Sequence, residues 1–525
     1  MKLFDAQTLE SMPKSLLVQT VLAMQEQIRL ATTQQYGRRS EKHTDDPTAD
    51  LFNEAEELAA LAQDADAGVE GESDADDAIS SDNTQTITYT RNTSKAGRKP
   101  LPEHLPREVI EHDLPEADKV CVCGEAKTRI GAETSERLEY IPAKLYVEQH
   151  VRHQYACPCC EEHGVQIADK PASMLPKSNT GPGLLAYTLV SKFQDSVPLH
   201  RQSNILARHD IDIPRNTLAR WHIQTSDRVT PLLERFESAL KASPVILMDE
   251  TRLQVNKEPD KDASSQSYMW VRRGISPPTT QTQETGRSPD VTLYHYSPSR
   301  SGSVAEALLS DYRGALMTDG YAGYTAVAKK QGLQHAHCWA HARRKFVEAE
   351  KALPKGKKSP AITAILSDIG KLYGIEKRLN GSAPEDKRRE RQTHAAPLLE
   401  KLKQSLEKKQ LTVTPKSLLG KAIHYTLERW EGLTQYITNG HLPIDNNGAE
   451  NAIRPFVVGR KNWLFSDTVH GAKASAIWYS IMETAKANGL EPYHYLKKVF
   501  ELLPLAQTEE DIDALLPWNI DLTEK

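Results

Sequence analysis

No apolar run in this 525-residue chain approaches the ~18 residues a membrane-spanning helix needs, and the opening MKLFDAQTLESMPKS lacks the charged-then-apolar profile of a secretory leader. Both absences predict a cytoplasmic protein without a membrane partner. Cysteine is scarce as well: there are six, which excludes a disulfide-dense secreted scaffold. Basic residues are missing from one long stretch, since residues 45–82 hold fourteen Asp or Glu and no Lys or Arg. Setting those fourteen aside from the 71 acidic residues leaves 57 against 66 basic ones, so the formal net charge of -5 conceals a mildly basic remainder, as nucleic-acid binders often have.

The length predicts roughly three or four structural units. Residues 1–43 read as helical, with Leu16, Val18, Val21, Leu22, Met24, Ile28 and Leu30 near helical spacing and the basic cluster GRRSEKH at the end. Such a helix suits pairing with a second copy or contact with phosphate, or is a solvated helix with a charged end. Residues 44–93 are rich in Asp, Glu, Ala and Ser, too polar to repay the entropy of ordering, and read as a disordered acidic linker.

Five of the cysteines form two clusters, Cys121 and Cys123 in VCVCGE and Cys157, Cys159 and Cys160 in YACPCCEE. Paired thiolates about 35 residues apart, beside turn-forming Gly124 and Pro158, suit a structural tetrahedral zinc held by Cys121, Cys123, Cys157 and Cys160. The first pair has the tighter C-x-C spacing, and Cys159 is either a competing ligand or a spectator. Disulfides are the alternative, which a reducing compartment disfavours. The intervening ERLEYIPAKLYVEQHVRHQYAC alternates like a hairpin, so residues 94–175 read as a small zinc-binding β module. Residues 176–242 then turn helical. PLHRQSNILARHDIDIPRNTLARWHIQ resembles a helix-turn-helix whose second helix carries Arg215, Asn216 and Arg220 toward DNA; a plain helical hairpin is the alternative.

From Pro244 the period changes to that of strands. SPVILMDETRLQV, YMWVRRG, VTLYHYSPSR, ALMTDGYAGY and LQHAHCWAH predict five strands, with a short helix in SVAEALLS. Three strands, a helix, a strand, a helical crossover and a strand is the order of a ribonuclease H-like α/β fold. Asp249 and Asp319 fall at the ends of its first and fourth strands. Glu250 competes with Asp249, but successive strand residues point to opposite faces, which leaves Glu250 a supporting role. Asp445, Asn446 and Asn447 are capping types and place Glu450 in the first turns of a later helix, which Pro455 would kink or end. Three converging carboxylates make a site for divalent metal and phosphodiester chemistry. The long Lys-, Glu- and Leu-rich gap before Glu450 predicts a helical insertion at 346–440 within a core formed by 243–345 and 441–500, with a tail at 501–525. Arg343 and Arg344 before the insertion, Arg454 one turn after Glu450, and Arg460, Lys461, Asn462 and Trp463 in GRKNWLF offer cations for phosphate and a ring for a base; the alternatives are a solvated helical face for Arg343 and Arg344, pairing with Glu450 for Arg454, and core packing for Trp463.

These motifs together resemble a known family. From GRRSEKH through the cysteine module, LPKSNTGPGLLAYTLVSKFQDSVPLHRQ, MDET, TDGYAGY, HCWAHARRKF and DNNGAENAIRPFVVGRKNWLF, the chain is similar to transposases of the insertion-sequence-66 family across nearly everything outside the acidic linker. The resemblance implies a multidomain α+β protein: an RNase H-like catalytic core interrupted by a helical insertion, with N-terminal helical, zinc-binding and helix-turn-helix-like modules. It implies a DDE transposase using magnesium or manganese at Asp249, Asp319 and Glu450, with the ends of a bacterial insertion sequence and target DNA as substrates. It also implies a homo-oligomer on DNA and small accessory proteins from the same element. Cys338 and His341 match a C-x2-H pair that recurs in related DDE enzymes, as metal ligands or as packing. A DNA-binding regulator with an inactive core, and a metal-dependent nuclease without strand transfer, are the rival readings.

Overall fold

A computed structural model describes residues 12–36, 145–156, 165–275, 289–354 and 356–522. The chain divides into two units, residues 70–170 and the rest. Within the first, strands β1 (Gln154–Ala156) and β2 (Val165–Ile167) pair antiparallel with Tyr155 opposite Gln166. The strand that ends the alternating run is thus closed by residues beyond the second cysteine cluster rather than by the run itself. Cys121, Cys123, Cys157, Cys159 and Cys160, the acidic linker and the GRRSEKH cluster lie outside the described residues.

The second unit begins with α1 (Lys14–Tyr36), whose Glu26 accepts a hydrogen bond from the Leu418 backbone N–H at 3.0 Å. Four helices follow the linker region: α2 (Pro182–Phe193), α3 (Leu199–Ala207), α4 (Arg215–Arg228) and α5 (Thr230–Ala242). Helices α3 and α4 occupy the positions read as a helix-turn-helix; Leu206, Leu218 and Trp221 are buried, while Arg215, Asn216 and Arg220 face out. The apolar spacing of α4 therefore sets which side its basic residues occupy.

The sheet consists of β3 (Val245–Lys257), β4 (Gln266–Ile275) and β5 (Val291–Ser297), then, after α6 (Gly302–Leu308), β6 (Ala315–Thr318), and, after α7 (Ala322–Gln331), β7 (Gln334–His337). Its spatial order is β5-β4-β3-β6-β7, with β3, β4 and β5 antiparallel to their neighbours and β6 and β7 added in parallel. The apolar runs are long because both faces are covered: Val245 to Met248 and Ala315 to Thr318 are all buried.

Between β7 and the last part of the fold come α8 (Trp339–Lys351), α9 (Pro360–Arg378), α10 (Pro384–Glu390), one π-helical turn (Arg391–Ala395), α11 (Ala396–Gln410), α12 (Leu418–Glu428) and α13 (Trp430–Thr434). The chain then returns to the sheet as α14 (Asn447–Trp463), β8 (Ser466–Thr468), which pairs with the far end of β3, and α15 (Val469–Ala487), followed by α16 (Pro492–Leu502) and α17 (Glu509–Asp513). Helix α15 covers the open edge of β5: the Tyr294 N–H donates to Ser480 Oγ at 2.7 Å and the Thr292 N–H to Thr484 Oγ1 at 3.0 Å. Those hydroxyls satisfy backbone donors that an uncovered edge would leave to a second chain. Among the described residues no helix is long and apolar enough to cross a membrane.

Pro455 neither ends nor breaks α14, contrary to the sequence expectation. Phe456 and Val457 beside it are buried, and the Tyr294 hydroxyl donates to the Ala452 carbonyl. Tertiary packing holds the helix through the proline's missing donor.

Candidate carboxylate active site

Strands β6 and β7 end beside the middle of the longer β3, which runs on to Lys257, so Asp249 lies within its strand and not at the end where the sequence expectation put it. Leu247 pairs with Met317 and Thr318 with His337, so two residues beyond the first pair Asp249 and Asp319 stand level on neighbouring strands. Cys338, whose N–H donates to the Thr318 carbonyl at 3.0 Å, stands beside Asp319 on the next. The D-G-Y turn fixes Asp319 locally: Gly320 has φ +83°, open to glycine, and the Tyr321 N–H donates to Asp319 Oδ1 at 2.8 Å.

Glu450 arrives from above, in the first turn of α14. The Asn446 side chain does not cap that helix as expected but donates to the Met248 carbonyl at 3.0 Å, tying the helix start to the strand residue before Asp249. Gly448 brings the helix close to β3: a Cβ there would sit 2.8 Å from Leu247 Cδ2, and a larger residue would require the leucine to move. Glu450 is 1% exposed; its Oε1 lies 3.5 Å from His341 Nδ1 and its Oε2 4.0 Å from the Arg344 guanidinium, both on α8.

Like charges crowd here. Burial, then Glu250, Glu450 and Asp319, push the Asp249 carboxyl well above its usual range, with His341 opposing. His341 answers in turn. Burial alone would lower its imidazole, yet Cys338 and Glu450 beside it raise it well above its ordinary value. Burial likewise raises the Cys338 thiol, with His341 opposing.

Glu250 belongs to a different set. Its carboxylate is paired with Arg300 at 2.5 Å and accepts from the Tyr324 hydroxyl, and the Arg300 guanidinium lies over the Tyr321 ring at 4.2 Å. The helices after β7 close the back of the site, where the Tyr425 hydroxyl donates to the Asp319 carbonyl at 3.1 Å and Arg429 lies over the Tyr425 ring at 4.1 Å. Sequence reading missed Arg300, Tyr324 and Tyr425, which reach the site from separate elements; Tyr324 closes the TDGYAGY motif that carries Asp319, whereas Arg300 and Tyr425 have no such local signal.

The residues expected to meet DNA separate into two kinds. Arg454, Lys461 and Asn462 are exposed on α14, and Asn462 lines a groove with Arg201, Asn204 and Arg208 at the end of α3. Arg343 and Arg344 are half-buried on α8. Arg460 instead turns inward and donates to the Arg252 carbonyl of β3. Trp463 is half-buried against the core and packs edge to face on Phe456 with centroids 5.5 Å apart.

This mixed helix-and-sheet core with its clustered carboxylates lies in a stretch of the chain that matches a known family. Residues 177–474 match the Transposase IS66 family, 480–518 the IS66 C-terminal element, 118–161 the zinc-finger binding domain of transposase IS66, and 23–110 the domain described as Transposase C of IS166 homeodomain. The chain belongs to the IS66 transposase family. The zinc-finger match spans both cysteine clusters. The homeodomain match falls upstream of α3 and α4, the pair that sequence reading selected for DNA. Three uncharacterized proteins of Sinorhizobium fredii (strain NBRC 101917 / NGR234) are similar to it. One, y4jD, is 35% identical over 80% of this chain and 81% of its own length. Another, y4qI, is 31% identical over 80% and 77%, and a third, y4hP, 28% identical over 95% and 89%.

Proposed function

We propose that the chain is a DNA transposase with an RNase H-like core, which cleaves the ends of a bacterial insertion sequence and joins their 3′ ends to target DNA at Asp249, Asp319 and Glu450. The observation that carries this reading is that Asp249 and Asp319 stand level on neighbouring strands with Glu450 of α14 beside them, a crowding that raises the Asp249 carboxyl and that a divalent cation would relieve. All three offer hard oxygen donors, which suits magnesium or manganese. Ions bound there would activate water and stabilise the leaving 3′ oxygen of the phosphodiester. Asp249 and Asp319 supply a rigid pair because each is fixed by its strand, and Glu450 is aimed by His341 and Arg344. The freed 3′ hydroxyl then replaces water as nucleophile on target DNA, and one site serves both displacements because each is in line at phosphorus.

DNA would lie along Arg215, Asn216 and Arg220 of α4 and reach the site past Arg454, Lys461, Asn462 and Arg343. The zinc module of Cys121, Cys123, Cys157 and Cys160 would serve docking or DNA contact, since four thiolate ligands leave no open catalytic position. Two DNA ends handled together call for a homo-oligomer, and the family implies small accessory proteins as partners in a bacterial cytoplasm. The test incubates the protein, an element-end duplex, target DNA and magnesium. Joined product that disappears in Asp249→Ala, Asp319→Ala and Glu450→Ala supports the proposal. Nicking without joining indicates a nuclease, and DNA binding without chemistry a regulator.

A further inference from the structure

Behind the carboxylate row lies a second donor set of different chemistry. Cys338, His341 and Glu450 each offer one ligand atom, and the three atoms lie within 4.8 Å of one another. The separation of 3.5 Å between His341 Nδ1 and Glu450 Oε1 is already close to a tetrahedral edge, roughly 3.3–3.4 Å for zinc bonds of 2.0–2.1 Å. Two features of the fold favour a thiolate ligand at the sulfur. The Asn446 N–H donates to Cys338 Sγ at 3.1 Å, and Cys338 is the N-cap of α8, where the helix dipole favours negative charge.

We propose that Cys338, His341 and Glu450 form a binding site for a soft divalent cation of the zinc class, and that its occupation inhibits the enzyme by drawing Glu450 out of the carboxylate row. Sulfur and imidazole donors select zinc over magnesium, whereas Asp249 and Asp319 offer oxygen alone. Glu450 is the ligand common to both sets. Binding releases the thiol proton of Cys338 and the imidazolium proton of His341, and the fourth position is left to water. The inhibitory part rests on the proposed catalytic reading, but the binding part does not.

The test uses the full chain as isolated, with Cys338→Ser, His341→Gln and Glu450→Gln variants. Cobalt(II) is titrated as the spectroscopic stand-in for zinc, and uptake is read from thiolate-to-cobalt charge-transfer absorption. The wild type takes up one equivalent more than Cys338→Ser and His341→Gln, and Glu450→Gln binds that equivalent at least tenfold more weakly. Zinc inhibition of magnesium-dependent cleavage, normalised to each protein's own zinc-free rate, moves at least tenfold to higher zinc in His341→Gln. In the wild type it is relieved by raising magnesium. Equal cobalt uptake by the wild type and both the Cys338 and His341 variants overturns the site. The extra equivalent without DNA cleavage by any protein upholds the site and counts against the transposase reading. Zinc inhibition unchanged in both variants overturns the inhibitory role.

Discussion

The helical insertion and the end of the sheet both bury carboxylates, but they treat them in opposite ways. In the insertion, Glu376 accepts two hydrogen bonds from Arg391, at 2.8 and 2.6 Å, and the guanidinium also donates to the Tyr436 and Asn439 carbonyls. Glu237 and Arg272 repeat this bidentate pairing beside the sheet, both bonds at 2.7 Å. In the sheet, Asp249 of β3 is surrounded by Glu250, Glu450 and Asp319. Matched burial holds helices together, whereas crowded like charge leaves a site that favours a cation. Glu250 sharpens the contrast, because it lies next to Asp249 in the chain yet follows the insertion's rule through Arg300 and Tyr324.

The largest expected effect breaks the crowded side. Asp249→Asn, Asp319→Asn and Glu450→Gln each remove one ligand charge at nearly constant shape, and cleavage should fall by about a thousandfold or more, since even a single neutral oxyanion donor is worth 10²–10³. A gel assay with labelled element ends reads this, and DNA binding by the same proteins should persist. Retention of cleavage in any one of them would remove that residue from the site.

Arg391→Leu tests the matched side. It strands the Glu376 carboxylate in a closed interior and should cost about 3–5 kcal/mol, read as a lower urea midpoint. The double variant Arg391→Leu, Glu376→Leu should recover most of that loss, because two apolar side chains no longer need each other. Equal losses in the single and double variants would show that the pair matters for its packing and not its charge.

Sequence reading reached the crowded side better than the matched one, for a physical reason. Asp249 and Asp319 announce themselves through apolar strand runs of period two, and Glu450 through capping residues before a helical stripe; all three signals are local. Alternation favoured Asp249 over Glu250, and the structure supplies the partners that occupy Glu250. Arg300 lies 50 residues from Glu250 and Arg391 15 from Glu376, and their pairing follows from tertiary packing, which no local period encodes. The same limit explains Pro455. Local rules treat a proline as a break, but the buried packing of Phe456 and Val457 beside it carries α14 through.

Lys192 is a cation counterpart to the crowded carboxylates. Its ammonium lies 5.2 Å from the Phe193 ring centroid and 5.9 Å from that of Trp463, and burial lowers its pKa to about 8. The folded-state value is below the unfolded value of 10.5, so the unfolded chain holds the proton more tightly. The penalty on the native state is complete below pH 8 and fades as pH rises toward 10.5. Lys192→Met should therefore be more stable than the wild type at neutral pH by up to about 3 kcal/mol, at about 1.4 kcal/mol per pKa unit. Its advantage should shrink steadily in urea titrations run at rising pH. A constant advantage would assign the gain to packing.

The smallest effect separates exposed cations from those the fold has already engaged. Each exposed arginine that meets a phosphate releases about one counterion, so Arg215→Ala and Arg220→Ala should each reduce the slope of log affinity against log salt by roughly one, with little change in stability. Arg460 belongs to the other class, since its guanidinium is held by the Arg252 carbonyl. Arg460→Ala should leave the salt slope unchanged and lower the urea midpoint, because it leaves that carbonyl without its donor. Were Arg460→Ala to change the slope as well, α14 would have to release this contact on DNA, and the distinction between structural and substrate-facing charge would hold only for the free protein.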